Sequence, residues 1–95
     1  MKSKLKSNEL DDLFKAILSV ENVEECYSFF EDLLTVAELK SIAQRFAVAK
    51  LLNEGSTYEE ISRKTGASTA TISRVKKFLD YGADGYRNIL KRTAK

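Results

Sequence analysis

Ser68, Thr69, Ala70, Thr71 and Ser73 crowd into a short stretch, TYEEISRKTGASTATISRVKKFL, residues 57–79, with Arg63, Lys64, Arg74, Lys76 and Lys77 close by. These residue types suit one kind of chemistry. Short hydroxyl side chains hydrogen-bond phosphate oxygens or base edges, a methyl such as that of Ala70 meets a thymine methyl, and neighbouring cations neutralise phosphates. Catalysis is not expected: the chain has no histidine, lacks a glycine-rich phosphate loop, and carries its carboxylates on helix faces in mixed-sign company.

Such side chains need a scaffold that presents them together, and the same stretch encodes it. Thr57 with Glu60 three residues later is a capping box for a short helix, about 58–65, whose apolar side is Tyr58 and Ile61. Gly66 suits the left-handed conformation of a sharp inter-helix turn, and Ala67 is small enough for two helices to approach. Ser68 then caps a second helix, about 69–80, buried through Ile72, Val75 and Leu79 and ended by Gly82. The expected product is a helix-turn-helix over about 57–80. With Ile72 and Val75 inward, the outward positions of the first turns are Ser68, Thr69, Ala70, Ser73 and Arg74. Small side chains there let a helix enter a DNA major groove, and a helix N-terminus itself favours phosphate. The same corner also serves in proteins as a packing device, with the hydroxyls acting as caps alone.

The rest of the chain reads as helices that carry this motif. Leu10, Leu13, Phe14, Ile17 and Leu18 form one stripe of a first helix from about Asn8. Asn22, with Glu25, caps a second helix lined by Val23, Cys26, Tyr27, Phe30, Leu33 and Leu34, with Cys26 expected in the core. Thr35 with Glu38 opens a long third helix through Leu39, Ile42, Ala43, Phe46, Ala49 and Leu52 to Gly55. A last helix is expected over about 84–93. With no proline and only four glycines in 95 residues, the fold class is all-α and one domain spans 1–95. Three amphipathic helices ahead of a short motif offer more apolar surface than a small monomer covers, so a partner is expected to complete the domain.

Charge separates along the chain. Residues 1–55 carry seven Lys/Arg against ten Asp/Glu, a net −3, and residues 56–95 carry nine against four, a net +5. The basic half contains the helix pair, as suits a polyanion partner. The basic ends, Lys2–Lys6 and Lys91–Lys95, read as frayed solvated termini rather than DNA-contacting arms. The single Cys26 forms no internal disulfide, and without histidine a metal site is not expected. There is no apolar run of membrane-spanning length and no apolar block of a secretion signal at the start, so the expected location is the cytoplasm, with no membrane partner.

The segments LLTVAELKSIAQRFAVAKLL and ISRKTGASTATISRVKKFL resemble the tryptophan repressor family, most closely its YerC/YecD-type members, over residues 34–79. The resemblance implies six helices per subunit, an intertwined homodimer joined through the helices of about 8–54 and 84–93, and repression of transcription by double-stranded DNA binding through the second helix of the motif. By position it assigns DNA reading to Gly66, Ser68, Thr69, Ala70, Thr71 and Ser73. Glu60 stands where the repressor has an arginine near DNA.

The family's tryptophan pocket is matched only in part. Arg45, Arg74, Thr35 and Thr71 keep the residue types that clamp and line it, whereas Val75 replaces a glycine and Phe78 a serine that receives the amino group. The loop around Asn53–Ser56 gains one residue. Added bulk and an unpaired ammonium both oppose the zwitterion, so no L-tryptophan corepressor is expected. Two other readings remain open: a module that docks on the transcription machinery, and a regulator that senses a different metabolite.

Overall fold

The computed structural model describes residues 3–94 and contains, among them, six helices and no strand. They are α1 (Asn8–Leu18), α2 (Val23–Leu33), α3 (Val36–Asn53), α4 (Tyr58–Thr65), α5 (Thr69–Tyr81) and α6 (Gly85–Thr93). The all-α expectation holds. Lys2 and Lys95 lie outside the described residues.

The starts and stops follow local chemistry. Ser7 accepts the N–H of Leu10 at 3.1 Å to open α1, and Asn22 accepts that of Glu25 at 2.8 Å to open α2. The Glu25 carboxylate reaches back to the Glu21 N–H at 2.9 Å, one residue earlier than a standard box would place it. α3 begins directly after Thr35 and closes at Gly55, whose φ of +89° is a backbone state that L side chains rarely adopt. Gly82 ends α5 for a steric reason: a Cβ there would stand 2.3 Å from the carbonyl oxygen of Phe78. Asp84 enters the left-handed region at φ 66° to start α6 without a side-chain cap.

The chain divides into two compact units, one ending at Thr35 and the other beginning at Val36. In the second, α3 packs on α4, α5 and α6 around Val48, Ala49, Ile61, Ala67, Ile72, Val75, Leu79 and Leu90, supported by Leu51, Leu52 and Tyr86. Ile61, Ile72, Val75 and Leu79 are buried as their spacing requires. α3 differs from its sequence reading. Ala49 is buried as its spacing suggests, but Val48 joins it on the buried side, while Ile42 and Phe46 stay 43% and 39% exposed. Apolar residues surround this helix, so spacing alone did not say which side would meet α4 and α5.

The first unit is a larger departure. Neither α1 nor α2 buries a residue. Cys26, expected in the core, is exposed, as are Phe14, Leu18, Val23 and Tyr27. A helix stripe specifies an apolar face, but a short two-helix unit has too little interior to cover it. Phe29 and Phe30 make an edge-on ring contact, with centroids 5.4 Å apart.

Candidate nucleic-acid interface

The helix pair is built from the turn outward. At its entry, the Thr57 hydroxyl accepts the Glu60 N–H at 3.1 Å while the Glu60 carboxylate accepts the Thr57 N–H at 2.8 Å, a complete capping box. Hydrogen bonds from the Thr57 backbone and then its side chain hold the Glu60 carboxyl below its usual pKa, with smaller help from Lys64 and Arg63. The carboxylate is thus turned onto its own helix start. Because its folded pKa is lowered, its stabilising effect is present above the ordinary carboxylate range and fades as pH falls through the lowered value. Thr57→Ala is expected to cost about 1 kcal/mol in urea denaturation at neutral pH; an unchanged midpoint would count against the box.

The turn itself is held by residues that the sequence reading passed over. Gln44 of α3 donates from Nε2 to the Thr65 carbonyl at 3.1 Å, satisfying a carbonyl that the end of α4 leaves without a helical partner. The Thr65 hydroxyl donates to the Ile61 carbonyl at 2.7 Å and accepts the Ala67 N–H at 3.1 Å. Gly66 between them adopts φ +74°, and Ala67 is buried against the core. The one clue to Gln44 was its amide among the apolar residues of SIAQRFAVA.

From this corner α5 projects its first turns. Ser68 caps the helix, accepting the Thr71 N–H and donating to the Thr71 hydroxyl, both at 3.2 Å. Thr71 is half-buried; Thr69, Ala70 and Ser73 are exposed. Behind them Ile72, Val75 and Leu79 fix the helix to the core. Arg63 and Lys64 lie in the last turn of α4, Arg74, Lys76 and Lys77 along α5, all exposed. Among the described residues Arg63, Lys64, Arg74 and Lys77 make no ion pair, whereas Lys76 lies 3.0 Å from Asp80.

The six residues considered for a tryptophan pocket have dissimilar surroundings. Arg45, exposed on α3, donates to the Ser41 hydroxyl at 3.2 Å. Arg74 is exposed, and Thr35 closes the first unit. Val75 belongs to the helix-turn-helix core at 2% exposure, so its bulk serves packing. Phe78 is 55% exposed. Among the described residues no His, Cys, Asp and Glu group is placed to hold a metal, and no helix is long and apolar enough to cross a membrane.

Known proteins share this architecture. The family model for the Trp repressor protein matches residues 8–94. The Bacillus subtilis (strain 168) protein YerC, itself uncharacterized, is 57% identical over 89 residues, covering 94% of this chain and 86% of the relative. A candidate Trp repressor from Staphylococcus aureus has a crystal structure that superposes with a TM-score of 0.90 at 56% identity, over 94% of this chain and 89% of the other. A TrpR-like protein from Eubacterium eligens ATCC 27750 also gives a TM-score of 0.90, at 54% identity over 94% and 92%. With the match running from α1 through α6, the chain belongs to the Trp repressor family.

Proposed function

We propose that this protein is a dimeric, sequence-specific DNA-binding regulator that enters the major groove with α5. One observation carries the reading: α5 is anchored by Ile72, Val75 and Leu79, while its opposite front offers only small or hydroxyl-bearing groups at Thr69, Ala70 and Ser73. That profile lets the helix approach base edges, and the cations of α4 and α5 flank it for phosphates. Family membership supports a regulatory role. Selection of bound fragments from random or genomic duplexes at moderate salt tests the reading and yields the site. Enrichment of a defined sequence, with affinity falling as salt rises, is expected. A protein that retains no duplex even at low salt, yet captures components of the transcription machinery, would favour the docking-module reading instead.

The exposed apolar sides of α1 and α2, with Phe14, Leu18, Val23 and Tyr27, support the dimer. Light scattering at micromolar concentration should give twice the chain mass, and the selected site should be pseudo-palindromic with half-sites ~34 Å apart. A monomer would defeat this prediction. L-tryptophan is not assigned as a corepressor: a ligand acts only through different affinities for two states, and a phenyl at Phe78 provides no acceptor for an ammonium.

A further inference from the structure

Asp80 is the sole acidic residue of α5, and it stands on the stripe of Thr69, Ser73 and Lys76, at helical spacings of four, three and four. A carboxylate on a face turned toward DNA repels phosphate, so its presence calls for a role. Its surroundings supply one. Oδ2 of Asp80 accepts the Lys76 ammonium at 3.0 Å, and Oδ1 faces Nη2 of Arg87 from α6 at 3.4 Å. Arg87 is fixed independently, its Nε donating to the Leu79 carbonyl at 2.8 Å. The hydrogen bond and charge of Asp80 also keep Lys76 more firmly protonated than an ordinary lysine, with smaller contributions from Tyr58 and Tyr81.

We infer that Asp80 is a built-in phosphate substitute: it holds the Lys76 ammonium in the DNA-free protein and yields it to a backbone phosphate on binding. This rests on the DNA-reading role proposed for α5. The two carboxylate oxygens make the exchange feasible, because Arg87, anchored on the Leu79 carbonyl, still faces Asp80 when Lys76 departs. Both partners are half-exposed, with side chains at 51% for Lys76 and 32% for Asp80, so a phosphate can reach the ammonium without unfolding. An exposed pair of this kind is weak enough to be displaced. The consequence is selectivity by charge. Of the three cations on α5, Lys77 and Arg74 meet any duplex at once, whereas Lys76 contributes only where the complex is close enough to outcompete Asp80.

Asp80→Asn keeps the shape and removes the competitor. Affinity for random-sequence duplex is expected to rise roughly threefold to tenfold, and the log–log salt slope to steepen by about one phosphate contact. Asp84→Asn, the same charge change in the α5–α6 turn where the side chain makes no cap bond, controls for general repulsion and should have a smaller effect. In the unmodified background Lys76→Gln should weaken random-duplex binding less than Lys77→Gln does. In a Lys76→Gln background, Asp80→Asn should add no more than Asp84→Asn. Equal gains from Asp80→Asn and Asp84→Asn, or equal losses at Lys76 and Lys77, would overturn the inference while leaving DNA binding intact. Failure of every variant, the unmodified protein included, to bind any duplex would overturn the DNA-reading role itself. Circular dichroism confirms folding, and the Lys76/Lys77 comparison stands even where Asp80→Asn loosens α6.

Discussion

Ala70→Leu is expected to lower affinity for the selected DNA site by about 100-fold or more, while affinity for random duplex changes by less than roughly threefold. Ala70 lies exposed on the opening turn of α5, next to Thr69 and on the side away from Ile72 and Val75. In the proposed complex, a leucine there would add bulk between the helix and the base edges. The phosphate contacts proposed for Lys77 and Arg74 would not depend on that approach, which separates the two affinities. Folding should persist, because leucine is a good helix former and the position is exposed. Quantitative gel-shift titration on the selected site and on a scrambled duplex, with helicity checked by circular dichroism, provides the measurement. Equal binding by both folded proteins would remove α5 from the groove.

The second large effect concerns Val75. As a replacement for a small pocket residue, it invites the idea that Val75→Gly would reopen a ligand site. Its place in the structure leads elsewhere. Val75 is 2% exposed, between Ile72 and Leu79 in the core shared by α3, α4 and α5. Removing the buried side chain costs about 1.5–3 kcal/mol of apolar burial. Glycine inside a helix adds about 1 kcal/mol. Val75→Gly is therefore expected to lose roughly 3 kcal/mol in urea denaturation at fixed protein concentration, a large share of the stability of a small domain. Phe78→Ser, on an exposed position, should stay within about 0.5 kcal/mol of the unmodified protein. An unchanged midpoint for Val75→Gly would place Val75 outside the core. Calorimetry on the Phe78→Ser protein should show no saturable L-tryptophan isotherm; tight binding there would make Phe78 the sole barrier and restore the corepressor reading.

Taken alone, the sequence determined what is local. Capping residues at Asn22, Thr57 and Ser68, and the glycines at positions 55, 66 and 82, act over three to five residues. Their chemistry therefore marks helix ends whatever the rest of the chain does. In α5 the stripe of Ile72, Val75 and Leu79 is narrow, so its burial and the exposure of Thr69, Ala70 and Ser73 follow directly. The Glu60 departure from the family pattern was visible as a letter, and its position in the Thr57 box was already implied by the spacing.

Tertiary structure decided what depends on partners distant in the chain. Only packing shows that α3 turns Val48 inward beside Ala49 and leaves Phe46 partly exposed, because an apolar ring has no preferred side until another helix covers one. Gln44 meets the Thr65 carbonyl across 21 residues, and Arg87 joins the Lys76–Asp80 pair from α6. No periodicity encodes such polar contacts, which depend on where two helices happen to come close. Cys26 reads in sequence as a core residue and is exposed in the fold for the same reason: an amphipathic stripe states that a face needs covering, and only the assembled structure supplies or withholds the surface that covers it.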